Sequence, residues 1–231
     1  MGEAFSDYLV FHVNPYLAVT VGTAGLLGAL ALQLRADRYR APVYWLAVVM
    51  VAVFGTMVAD VLHVVLDVPY AASAAGLALA LAVVFIAWRS VEGTLSIHSI
   101  HTPRRELFYW AAVMATFALG TAAGDLTAGT LGLGYPASAL LFAVAFAVPG
   151  LGWRYLGWNS VASFWAAYVI TRPLGASVAD WFGKPALGGL GLGDGWVAVA
   201  FTVCIIVAVA YLAITRIDVP AEQRGGGAVG G

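Results

Sequence analysis

Four aspartates, Asp7, Asp60, Asp125 and Asp180, each close the phrase G-x-x-x-small-D, whose small residues are Gly2 and Ser6, Gly55 and Ala59, Gly120 and Gly124, and Gly175 and Ala179. Small residues four apart let helices approach closely. The pairs Gly55/Ala59, Gly120/Gly124 and Gly175/Ala179 therefore read as packing faces, and each following aspartate is steered toward a neighbouring helix rather than lipid. A carboxylate so placed needs a cation, a proton or hydrogen-bond donors. Four residues earlier, on the same helical face, stand Glu3, Thr56 and Thr121, and His63 follows Asp60 by three. A ring of acids at one level is how a pore selects cations. Carboxylates, hydroxyls and one imidazole, with His63 the weakest candidate ligand, suit a manganese- or magnesium-type ion better than a soft metal. The same acids could equally accept protons, and the residue types leave both uses open.

Arg172 is the second unusual residue, a charge inside an otherwise apolar stretch and directly followed by Pro173. Such a charge needs a partner or solvation. Pro173 is expected to free a carbonyl near it, and its role is read as an internal counter-charge. Pro149, beside Gly150 and Gly152, marks a second expected kink. His98 and His101 lie in SIHSIHTPRRE, whose alternation reads as a solvated extended loop. The single cysteine, Cys204, excludes a disulfide framework or a cysteine metal site. No P-loop, HExxH or G-x-S-x-G occurs. Lys184, the one lysine, lies in a connection, where it cannot hold a retinal chromophore within the last helix.

The elements that position these residues follow from composition. Of 231 residues, 62% are hydrophobic and 10% charged, against the roughly 25% charged that covers a soluble surface, so an aqueous fold is excluded. A net charge of -1 argues against nucleic acid as a partner. Uncharged stretches at 8–34, 41–59, 68–88, 107–124, 126–153, 155–171 and 195–215 predict about seven membrane-spanning helices, an all-α polytopic bundle in contact with the lipid bilayer. Arg35, Arg38, Arg40, Arg89, Arg104, Arg105, Arg154, Arg216 and Arg224 flank alternate connections, with only Lys184 on the other side. The positive-inside rule then puts the C-terminus in the cytoplasm of a bacterial cell, the protein lying in its inner membrane. One transmembrane domain is expected over 1–218, with a disordered tail over 219–231.

The spans repeat. YWLAVVMVAVFGTMVAD (44–60), YWAAVMATFALGTAAGD (109–125) and FWAAYVITRPLGASVAD (164–180) align without gaps, each with a tryptophan (Trp45, Trp110, Trp165) ten residues before the glycine and fifteen before the aspartate. A second apolar helix follows each aspartate and ends in arginine, so the unit is a helix hairpin. The repeats fall at about 1–40, 41–106, 107–158 and 159–218, and the first lacks its first helix, GEAFSD aligning with the end of the unit. The tryptophans are expected as an interfacial aromatic belt, with the aspartates about 22 Å further out, near the external helix ends.

On these W-x9-G-x4-D segments, with EGTLSIHSIHTPRRE (92–106) and TRPLGASVADWFGKP (171–185), the chain resembles a bacterial membrane family of unknown function built from four tandem two-helix repeats, each bearing a tryptophan. The resemblance implies an architecture and no activity or cofactor. From the residues themselves, the expected function is secondary transport or channelling of a cation, a divalent metal or one coupled to protons, through Asp7, Asp60, Asp125 and Asp180. The rivals are a membrane scaffold whose aspartates serve assembly, and an enzyme acting on a lipid or quinone.

Overall fold

A computed structural model describes residues 2–12 and 15–217, with the side chains of Asp7 and of residues 10–15 outside the description. Among the described residues there are eight α-helices and no strand: α1 (Gly2–His12), α2 (Pro15–Leu34), α3 (Ala41–Asp60), α4 (Tyr70–Glu92), α5 (Pro103–Asp125), α6 (Gly134–Leu156), α7 (Ser160–Gly183) and α8 (Asp194–Thr215). The tail expected over 219–231 and Arg224 lie outside the described residues, as do the side chains of Asp7 and His12. Six helices, α2 to α6 and α8, are long and apolar enough to cross a membrane. α7 has the length, at 24 residues, but carries Arg172 and Asp180. The stretch 8–34 is not one span, since α1 stops at His12 and α2 starts at Pro15. Proline suits a first helical position, where its missing N–H costs nothing.

Local signals set several boundaries. Asn159 caps α7, its Oδ1 accepting from the Val161 and Ala162 amides at 3.0 Å each. Gly93 ends α4 and Gly157 ends α6 in the left-handed conformation, at φ 73° and 68°. Pro149 and Pro173 lie within helices that continue past them.

The helices form two rings. α3 packs against α1 and α5, and α7 against α5 and α1, making an inner ring of the first helices of the four units. Each second helix packs on the next unit's first helix, α2 on α3, α4 on α5 and α6 on α7, and α8 returns to α1 to close the circle. The hairpins are thus splayed and interlocked with their successors. Burial follows this order: 56% of the α5 span is inside the protein against 11% for α8. Leu79, Val83 and Ile86 of α4 and Leu140, Val144 and Leu151 of α6 are exposed, the apolar faces that a bilayer would cover.

Glycine sets the spacing of the inner ring. A methyl group on Gly2 would strike Ala52, one on Gly55 would strike Phe117, and one on Gly120 would strike Arg172 and the Pro173 backbone. Ala52, Phe117 and Arg172 occupy the same position in successive units, so one contact is made three times around the ring. Gly124 continues the second face against Ala176 and Ser177, and Ala59 and Ala179 are buried. Gly175 differs, with nothing within 4 Å of a methyl group placed there.

The tryptophans do not form a perimeter belt. Trp110 and Trp165 are buried and join Trp88, Tyr44, Tyr109 and Phe85 in an inward aromatic cluster at the arginine-bearing end. Trp165 Nε1 donates to the Leu95 carbonyl at 2.9 Å and Trp110 Nε1 to Glu106 at 3.3 Å. These inward hydrogen bonds remove the reason for the indoles to sit among lipid headgroups. Trp45 is half-buried, with its Nε1 enclosed.

Because a side chain at Gly55 or Gly120 must push two inner helices apart, Gly55→Leu and Gly120→Leu are each expected to destabilise the protein by about 1–3 kcal/mol. Gly175→Ala is expected to be neutral or to stabilise by up to about 1 kcal/mol through helix propensity. Thermal melting of the purified variants in detergent, followed by tryptophan fluorescence, checks the contrast.

Candidate functional site

The inner ring brings one carboxylate to its centre. Glu3 of α1 is buried, and its Oε2 accepts from the Thr121 hydroxyl at 2.7 Å and from the Thr56 hydroxyl at 3.1 Å. The two threonine oxygens are 3.1 Å apart. Three units therefore contribute the residue after their glycine to a single polar triangle, and the fourth contributes Ala176, also buried. α3 and α5 supply their hydroxyls here because the glycine contacts align the helices at this level.

Beside the triangle lies a cavity of about 220 Å³ lined by Glu3, Thr56, Thr121, Arg172, Trp45 and Phe117, among others. The Arg172 guanidinium carbon sits 3.9 Å from the Phe117 ring centroid and 4.3 Å from that of Tyr168. Cation–π contact of this kind offsets part of the cost of a charge away from water. Its Nε is buried with no hydrogen-bond partner, and no ion pair to it occurs among the described residues. The freed-carbonyl pairing expected from Pro173 is not what holds it; the aromatic rings are. An acid shares its surroundings, since Glu3 lines the same cavity.

The aspartates lie one turn toward the opposite end. Asp60 and Asp125 are not in last helical turns as expected: widened π-helical turns, Val61–Val65 and Leu126–Thr130, carry each helix onward. The bonds Leu66 N to Val61 O at 3.0 Å and Leu131 N to Leu126 O at 2.9 Å are the same bond in two units. Asp60 accepts from the Ser6 hydroxyl at 2.9 Å. Asp180 is buried and its Oδ1 lies 2.9 Å from Lys184 Nζ. Asp125 has Glu3, Lys184 and His63 as its charged neighbours. The acids of α3 and α5 thus face α1, and Lys184 is a common neighbour of Asp125 and Asp180.

His63 lies near Asp125, yet its ring contacts other groups. Its Nδ1 lies 3.0 Å from the Val68 carbonyl and its ring stacks on Tyr70 at 3.5 Å. Among the described residues no group of three or more His, Cys, Asp or Glu could hold a metal ion. The expected divalent-metal reading, with His63 as its weakest ligand, therefore has no assembled cluster among the described residues. Glu3 is met by two threonines, Asp60 by a serine and Asp180 by a lysine.

At the arginine-bearing end, Glu92 is bound by Arg104 Nε at 2.5 Å and Arg105 Nε at 2.7 Å, and Arg105 Nη1 donates to the Ser99 carbonyl at 2.7 Å. His98 and His101 are exposed in this loop and belong to no cluster.

Glu3 is the residue whose place the sequence conveyed least, although its register with Thr56 and Thr121 was a usable signal. Comparison with curated proteins and with solved structures finds no match. The family described as Repeat of Unknown Function (DUF347) matches residues 43–94, 108–157 and 163–218. Three tandem matches over more than half of the chain make it a member of that repeat family.

Proposed function

We propose that this protein is a secondary transporter or channel of a bacterial inner membrane, and that the cation it carries is the proton. The observation that supports this is the Glu3 carboxylate, clasped by Thr56 and Thr121 from two other units and open to the cavity that holds Arg172. Arg172 decides among cations. A fixed guanidinium in a cavity of about 220 Å³ repels a free metal ion across a low-dielectric space, whereas a proton carried as a neutral carboxylic acid meets no such penalty. Asp60, Asp125 and Asp180 would gather protons at one end, and Asp125, whose charged neighbours include Glu3, would pass them inward. Hydroxyls at Thr56 and Thr121 stabilise the ionised carboxylate between transfers. The arginine-rich connections around α2, α4, α6 and α8 would face the cytoplasm, placing the aspartates toward the outside.

Purified protein in liposomes loaded with a pH-sensitive dye is expected to dissipate an imposed pH gradient when a potassium-valinomycin potential balances charge. Glu3→Gln removes the titrating group while keeping its hydrogen-bonding shape, and should abolish the flux without lowering the melting temperature. Asp125→Asn should reduce it severalfold. Unchanged flux in Glu3→Gln sinks the assignment.

The orientation is checked separately. A green fluorescent protein fused after the C-terminus is expected to be fluorescent in cells, as it folds in the cytoplasm, and a dark but full-length fusion would reverse the topology.

A further inference from the structure

The wall of the cavity beside Glu3 has hydrogen-bond donors left over. Its hydroxyls are committed: Thr56 and Thr121 donate to Glu3, and Thr171 donates to the Tyr168 carbonyl at 2.6 Å. Two other wall residues, Arg172 and Trp45, keep buried nitrogens, Nε and Nε1, that meet no acceptor. Arg172 is the larger case. No hydrogen bond or ion pair reaches its guanidinium among the described residues, and its contacts, 3.9 Å from the Phe117 centroid and 4.3 Å from that of Tyr168, are with ring faces. The rings attract the charge, but they are no substitute for acceptors in the guanidinium plane, where five N–H groups lie in a fixed fork. Such a fork matches one carboxylate through two parallel bonds.

The rest of the cavity limits what that carboxylate can be attached to. Val48, Val49, Ala52, Phe117 and Ile205 supply apolar wall, which a bare inorganic ion on the arginine would leave empty. A volume of about 220 Å³ holds several waters at about 30 Å³ each, yet it falls below the roughly 300 Å³ at which sites for drug-sized ligands begin. Glu3 stands on the same wall, so a second negative group on the ligand would meet repulsion across a low-dielectric space. One carboxylate on a short aliphatic chain meets all of these conditions.

We propose that this cavity is a binding site for a short-chain aliphatic monocarboxylate, its carboxylate paired with Arg172 and its chain against Val48, Val49 and Ile205. The anion binds best when Glu3 is neutral, so a proton on Glu3 and the anion on Arg172 favour each other. That coupling rests on Glu3 being the proton carrier, whereas the pairing with Arg172 does not.

The test is equilibrium dialysis of the purified full chain in detergent against radiolabelled propionate. Wild-type protein is expected to bind it saturably, with sodium chloride and succinate competing far more weakly than unlabelled propionate. Arg172→Gln should weaken binding by about tenfold or more. Ile205→Trp, which takes up space from α8 and leaves both charges in place, should weaken it severalfold. Glu3→Gln, neutral like the protonated acid, should tighten it severalfold. Wild type without saturable binding, chloride or succinate competing as well as propionate, or unchanged binding in Arg172→Gln overturns the proposal, and unchanged or weaker binding in Glu3→Gln overturns the coupling. Propionate binding that Arg172→Gln loses, in a protein that passes no protons in liposomes, keeps the anion site and removes the proton reading; proton flux without propionate binding does the reverse. If Arg172→Gln does not fold, Ile205→Trp and the competition series decide.

Discussion

A carboxylate between membrane helices must be given donors by the protein, because lipid offers none and the charged form is otherwise too costly to keep. Glu3 imposes that demand on the whole inner ring. Its two donors come from Thr56 on α3 and Thr121 on α5, so both helices must approach α1 closely at the same height. Glycine makes the approach feasible: Gly2 admits Ala52, Gly55 admits Phe117 and Gly120 admits Arg172 and Pro173. The glycine contacts and the polar triangle sit side by side in three of the four units, which couples the spacing of the helices to the satisfaction of the acid.

The repeats supply a frame, and the departures from repetition supply the chemistry. The position after the glycine reads Glu3, Thr56, Thr121 and Ala176, one acceptor, two donors and one space-filler. The position that meets the glycine of the preceding unit reads Ala52, Phe117 and Arg172. Phe117 supports the Arg172 guanidinium from one side and Tyr168, one turn earlier on α7, from the other. A symmetric ring with the same residue at each place could hold neither a lone acid with two donors nor a cation between two aromatic rings. Gly175, with no contact at its face, marks the sector where the ring is least filled, and the cavity reaches it.

Much of the frame was legible in the sequence. Long uncharged stretches and the W-x9-G-x4-D phrases specify apolar helices in repeated units, since a bilayer constrains length and composition more tightly than water does. The packing role of Gly55 and Gly120 could be read from the spacing alone. Other features could not. Short connections suggest that helices adjacent in the chain are adjacent in space, yet α2, α4 and α6 pack on the unit that follows. The inward turn of Trp110 and Trp165 depends on acceptors at Glu106 and Leu95 whose availability is a tertiary fact. The π-helical turns after Asp60 and Asp125 leave no composition signal, because they differ from an α-turn only in which carbonyl each amide chooses. Glu3 was legible as an oxygen in register and hidden as a centre, since an 11-residue helix at the start of the chain gives no hint that it is walled in on several sides.

The two ends of the bundle are built for different demands. At the arginine-bearing end, the Glu92 pairs with Arg104 and Arg105, the Tyr44–Tyr109 hydroxyl contact at 2.6 Å and the edge-on packing of Trp88 against Trp165 join α3, α4, α5 and α7. Such an interlocked set resists displacement of any one helix, because moving it breaks several directional contacts together. At the other end Ser6 reaches Asp60 and Lys184 reaches Asp180, and α3 and α5 pass through widened turns. A π-turn leaves a carbonyl and an amide less rigidly committed than an α-turn does. The looser backbone of α3 and α5 therefore lies at the aspartate-bearing end, just past the level at which Thr56 and Thr121 hold Glu3.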